Sequence, residues 1–133
     1  MKQPVKKIEV NKYLDFIKVS KDFSNGCESA YAFEYYNAAG VLIIHAAIAL
    51  ADAVTIKLSG KKCSGKSHYD IIDLLNSVTP PSSNKSKSMD QFKKLIDHKN
   101  KISYYGDIYT KKDVDKLIKY FDRFKLWTDP LLK

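Results

Sequence analysis

The chain has 133 residues, 44% of them apolar, with 23 lysines and arginines against 15 acids and a formal net charge of +8. That length fits one domain, residues 1 to 133, and the apolar share closes a single core and excludes wholesale disorder. No run of about 18 apolar residues is free of interruption, and the N-terminal MKQPVKKIEV lacks the apolar centre of a signal peptide, so no membrane contact and a cytoplasmic location are expected.

Five segments carry the helical period. The first, about Val5 to Phe23, places Ile8, Tyr13, Leu14 and Ile17 on one side, and the Asn and Gly of SNG at 24 to 26 are expected to end it. The second, about Glu28 to Leu58, is apolar almost all round, with Ala38, Leu42, Ala46, Ala49 and Ala53 on one side and Val41, Ile44, Ile48 and Ile56 on others. A helix of that kind belongs in the middle of a bundle. Ser67 followed by Asp70 reads as a variant capping box opening a third helix with Ile71, Ile72, Leu74, Leu75 and Val78 inward. TPPSSNKSKS, 79 to 88, reads as a polar loop. A fourth helix is expected from about Met89 to Asn100, with Phe92, Leu95 and Ile96 inward. Thr110 with Asp113 makes a second capping box, opening a last helix with Val114, Leu117, Ile118, Phe121 and Phe124 at spacings of three and four. The expected architecture is all-α, an up-and-down bundle of four to five helices with no sheet.

The octet GKKCSGKS, residues 60 to 67, fits the phosphate-cradling pattern G-x-x-x-x-G-K-[ST] letter for letter. That pattern needs a buried strand before it, and AVTIKLS at 53 to 59 instead continues the helical period from Ala38. No second apolar strand ends in an aspartate to hold Mg²⁺. The octet therefore reads as a glycine C-cap at Gly60, a lysine-rich turn, and Gly65 leading into a capped helix. Lys66 and His68 remain binding candidates, because a cationic turn at a helix N-terminus can hold a phosphate without hydrolysing anything.

The charge suggests an anionic partner, since basic surfaces attract phosphate backbones. Only Arg123 among the cations is an arginine, the residue suited to bidentate phosphate contacts, so spread lysines on solvated helix faces account for the charge equally well. His45, on an apolar helix surface, reads as a metal ligand, a base or a packed core histidine. Asp52 lies two turns on along the same face, roughly 10 Å away, too far for a direct hydrogen bond. Cys63 and His68 have no second ligand pair at matching spacing, so no metal and no cofactor is expected. Cys27 and Cys63 are too few for a disulfide framework and read as thiols. Tyr35, Tyr36, Tyr104, Tyr105 and Tyr109 could stack on bases or pack with the hydroxyl at the surface.

YYNAAGVLIIHAAIALADAV, GKKCSGKSHYDIIDLL and DHKNKISYYGD together resemble the HEPN-domain proteins, over about residues 8 to 128. That family consists of small helical bundles of prokaryotic defence and toxin–antitoxin systems, also fused to or encoded beside nucleotidyltransferases. Its ribonuclease members use an arginine, a neighbouring polar residue and a histidine four to six residues later, paired across a dimer. The matching positions here are Lys99, Asn100 and Tyr104. Lys99 keeps the charge but loses the planar fork, and Tyr104 stands where the histidine would transfer protons near neutral pH. His98 lies on a different face of the helix from Lys99. The resemblance implies a homodimer and a non-catalytic module that binds a protein partner (a nucleotidyltransferase or antitoxin) or RNA, with Lys101 and Tyr105 beside the degenerate motif, and His45 and Asp52, as binding candidates. The alternative it implies is a divergent ribonuclease or toxin working through Lys99, Asn100 and Tyr104.

Overall fold

The computed structural model describes residues 4–65, 67 and 69–133. It is an all-α bundle of five helices: α1 (Tyr13–Ala32), α2 (Tyr36–Ser59), α3 (Tyr69–Val78), α4 (Lys85–Tyr104) and α5 (Lys111–Leu131). The apolar surface of α2 decides the arrangement, because a helix with no polar face must be covered on every side. The other four helices all pack against it. By length and composition α2 could cross a membrane, with a mean hydropathy of 2.1, yet 78% of that apolar window is buried among its neighbours, which is how the core helix of a soluble bundle looks.

The expectation of no sheet needs correction. Residues counted into the first helix form a short strand, β1 (Val5–Lys7), and a 3-10 turn at Val10–Lys12, and β1 pairs antiparallel with β2 (Lys61–Cys63). The turn before β2 is made by Gly60, whose φ of 69° caps α2 in the left-handed region while its N–H reaches the carbonyl of Ile56 at 2.7 Å. Residues 53 to 59 are the last turns of α2, so a helix and not a strand leads directly into the octet.

The first helix also ends later than SNG suggests. Gly26 lies inside α1 because it faces α2 closely: a Cβ there would stand 3.3 Å from Leu42 Cδ1. The stripe Ser20, Phe23, Cys27 and Ala30 or Tyr31 runs down that side at spacings of three and four, and the Ser20 hydroxyl donates to the carbonyl of Ala46 at 2.7 Å. The real break falls at residues 33 to 35, within the segment expected as one long helix. Tyr35 N–H bonds Ala30 O at 2.8 Å and Glu34 N–H bonds Tyr31 O at 3.0 Å, the Schellman pair, with Glu34 at φ 63°. A side chain in that conformation costs about 1 kcal/mol. Glu34→Gly is therefore expected to stabilise the protein by about that amount, read as a higher urea midpoint with unchanged slope.

α4 starts at Lys85 rather than Met89. Ser88 donates its N–H to Asn84 O, and the Lys85 ammonium bonds the carbonyls of Asn76 and Thr79, closing the C-terminus of α3. α5 opens as its capping box predicts: Thr110 Oγ1 accepts from Asp113 N–H at 3.3 Å and the Asp113 carboxylate accepts from Thr110 N–H at 2.9 Å. Phe92 of α4 and Phe124 of α5, both fully buried, stack at 4.7 Å in the core.

The two ends of the bundle differ. At one end α1 closes onto α2 and α4 turns into α5, with the Tyr31 hydroxyl donating to the Asp115 carboxylate at 2.6 Å across the gap. At the other, the Lys57 ammonium near the end of α2 bonds the carbonyl of Leu131 at 3.3 Å and that of Lys133, and lies over the Tyr13 ring.

Candidate functional site

The α4–α5 end holds most of the residues picked out by the sequence. Residues 105 to 110 leave α4 and return to α5 in an irregular path, and such a path needs partners for its backbone groups. Asn37, in the first turn of α2, supplies them. Its amide oxygen accepts from Tyr109 N–H at 2.8 Å, and its amide nitrogen donates to the carbonyls of Asp107 at 2.9 Å and Ile102 at 3.5 Å. Asn37 falls inside the quoted YYNAAG string but had no role there; the usable signal is an asparagine at a helix start, a residue type that bonds backbone groups readily.

Two clefts flank the end of α4. One, of about 340 Å³, is lined by His98, Lys101, Asp107, Tyr109 and Asp113. The other, of about 330 Å³, is lined by Tyr69, Asp97, Asn100, Lys101 and Tyr105. Lys101 stands on the ridge between them and pairs with Asp107 at 3.9 Å, both side chains about half exposed, a contact of small energetic weight.

In the first cleft His98 Nδ1 lies 2.6 Å from the Tyr109 hydroxyl, with the rings edge to face. Burial holds the imidazole below its ordinary pKa and the Lys101 charge adds to this, while Asp97 and Asp113 oppose it. Burial also raises the Tyr109 phenol. The lowered pKa favours the neutral imidazole at pH 7, and its hydrogen bond with the Tyr109 hydroxyl pins the connecting segment to α4. The Asp113 carboxyl is held below its usual range by the Thr110 backbone N–H and hydroxyl. In the second cleft the Tyr69 hydroxyl donates to Asp97 at 2.5 Å.

Of the degenerate motif, Asn100 lines the second cleft, with Lys101 and Tyr105 beside it. Lys99 and Tyr104 line neither cleft. Successive helical residues point about 100° apart, and Lys99 follows the buried Leu95 by four, so it leans toward the core, half-buried, with its pKa lowered by that burial. Tyr104, in the last turn of α4, points into solvent.

His45 and Asp52 sit elsewhere on α2. The half-buried His45 ring packs 5.9 Å from that of Phe23. Asp52, fifteen residues beyond Asn37 and so about 22 Å along the helix, is buried beside β2. Its Oδ2 lies 3.6 Å from the Lys62 ammonium, and its Oδ1 has no hydrogen-bond partner among the described residues. Burial pushes its carboxyl up to about 6 against the opposing pull of Lys62. Lys66 and His68 lie outside the described residues. Burial also raises both thiols, Cys27 to about 11, which keeps them protonated and unreactive at neutral pH.

The most conspicuous surface feature is apolar. Phe33 and Tyr35 at the α1–α2 turn, and Tyr104, Tyr105 and Ile108 at the α4–α5 connection, are between 64% and 88% exposed. With Leu126 they are the most exposed large apolar side chains among the described residues, and five of these six crowd one end of the bundle. Compared with known proteins, the chain matches no family model, no curated protein sequence and no solved structure.

Proposed function

We propose that this protein is a non-catalytic, HEPN-like helical bundle that works as a homodimer and as a docking module for a protein partner or RNA, in the setting of a nucleotidyltransferase or a toxin–antitoxin system. The observation that carries the reading is the cluster Phe33, Tyr35, Tyr104, Tyr105 and Ile108 exposed at one end of the bundle. Large apolar side chains exposed at one end of a molecule mark interaction sites, and tyrosine and phenylalanine are enriched at the centres of interfaces. The non-catalytic part is supported by the motif itself: Asn100 lines a cleft that Lys99 and Tyr104 do not.

Sedimentation velocity tests the dimer. The wild type is expected to sediment as a dimer at high micromolar concentration, and Tyr104→Asp with Tyr105→Asp to dissociate it at least tenfold more readily, about 1.4 kcal/mol or more. Circular dichroism of that variant should be unchanged, because both side chains are exposed. A wild type that is monomeric throughout that range removes the dimer. Cleavage of RNA by the wild type, lost in Lys99→Ala, replaces the binding reading with an enzymatic one.

A further inference from the structure

The small sheet at the opposite end carries an unusual register. Lys6 stands directly opposite Lys62, and Lys7 opposite Lys61, so that four of the six strand residues are lysines in two cross-strand pairs. The pairing continues past the strands, from Ile8 N–H to Gly60 O at 2.8 Å and from Ser64 N–H to Pro4 O at 3.0 Å, which fixes the register. Directly opposed residues on one face of a sheet have Cβ atoms about 5 Å apart, and like charges so placed destabilise the pairing.

One of the four charges is internally satisfied. Lys62 turns toward α2, where its ammonium meets the buried Asp52 and lies over the Phe16 ring. Lys6, Lys7 and Lys61 are exposed, and none forms an ion pair among the described residues. Alternation along a strand puts Lys6 on the Lys62 face and Lys7 with Lys61 on the other. Lys7 and Lys61 therefore stand side by side on the face turned away from α2, with Lys6 exposed beside them.

We infer that the β1–β2 ribbon is a contact surface for the phosphodiester backbone of RNA, held by Lys6, Lys7 and Lys61 without regard to base sequence. This rests on the reading of the protein as a binding module and fixes the ligand at this end of it. The chemistry matches: lysine binds phosphate as a point charge on a flexible stem, whereas base reading calls for the forked guanidinium that the chain almost wholly lacks. The number of charges separates a polymer from a lipid surface: the three exposed lysines fall short of the cluster of about four to eight that holds a protein to an anionic membrane, whereas phosphates along a strand are met one lysine at a time.

The test is fluorescence anisotropy with a short labelled oligouridylate between about 50 and about 200 mM salt. It compares the full chain, the variant Lys6→Gln with Lys7→Gln and Lys61→Gln, and a charge-matched control, Lys93→Gln with Lys116→Gln and Lys119→Gln on α4 and α5. Loss of three phosphate contacts should weaken low-salt binding about tenfold or more and flatten the slope of log affinity against log salt by about 2, while the control moves binding less than about threefold. If the triple variant does not fold, Lys7→Gln and Lys61→Gln singly carry the same test, each flattening the slope by about 0.7. Equal losses in ribbon variant and control would overturn the assignment while leaving RNA binding standing. A wild type that ignores the oligonucleotide but sediments with phosphatidylserine vesicles, and not when the ribbon is neutralised, would overturn it in favour of a membrane. No binding to either, with the dimer intact, would sink this inference and leave only the protein-docking reading.

Discussion

Asp52→Asn is expected to make the protein more stable at neutral pH, although it removes one partner of an ion pair. The carboxyl sits on α2 inside the bundle, with one oxygen 3.6 Å from the Lys62 ammonium and the other without a hydrogen bond among the described residues. Ionising it there costs more than Lys62 returns, so its pKa rises from 3.8 in the open chain to about 6 in the fold. The sign follows from proton counting. Between those two values the folded chain holds a proton that the unfolded chain has released, so stability falls as pH rises through that window and levels off above it. The shift corresponds to roughly 3 kcal/mol at pH 7. Asparagine never ionises and escapes that loss. Lys62, a quarter exposed, can turn its ammonium to water, though the amide must find partners of its own, so a net gain of about 1–2 kcal/mol is expected. Urea unfolding from pH 4 to pH 8 reads it: the wild type should lose stability up to about pH 6, and the difference between the two proteins should grow over the same interval. A flat difference curve, with the variant less stable throughout, would mean that the carboxylate is well paired and the account wrong.

The largest loss is expected at Phe124→Ala. The ring is fully buried, stacked on Phe92 at 4.7 Å and 6.0 Å from Trp127. Truncation removes the transfer energy of the ring and leaves a cavity that two rigid neighbours cannot collapse into, at a cost of about 4 kcal/mol. Against a total of about 5–15 kcal/mol for a domain, that leaves a marginal fold. The Trp127 indole borders the cavity, so its emission should shift to longer wavelength before global unfolding, which separates a local void from a general loss of structure. A loss below about 1 kcal/mol would mean that the α4–α5 core repacks freely.

What could be read from the sequence follows from which signals are local. The apolar girth of α2 and the Thr110–Asp113 capping box are written within a turn or two, and both appear in the structure. Gly26 misled because a glycine that ends a helix and a glycine that lets two helices touch look alike until Leu42 is placed opposite. The break at Glu34 carried no signal at all, since that position takes a left-handed conformation without glycine or asparagine. The ribbon escaped notice because its strands are three residues long and lie more than fifty residues apart, so neither has a period to detect. At the candidate site, the resemblance pointed to Lys99, Asn100 and Tyr104 with Lys101 and Tyr105 beside them, and of these Asn100, Lys101 and Tyr105 line one cleft. What holds the α4–α5 connection beside the His98 cleft is Asn37, more than sixty residues earlier, and no pattern within α4 could point to it.

Because α2 is the common neighbour of the other four helices, no single helix can leave without baring part of the same apolar rod. The surface each peripheral helix protects is α2's surface, so the losses are shared rather than separate. Amides in the middle of α2 have no route to exchange with water short of opening the whole molecule, while α3, ten residues long and packed on two helices, can fray by itself. The protein therefore behaves in time as a hub with spokes: fast local breathing at its rim, and one slow, all-or-none clock at its axis.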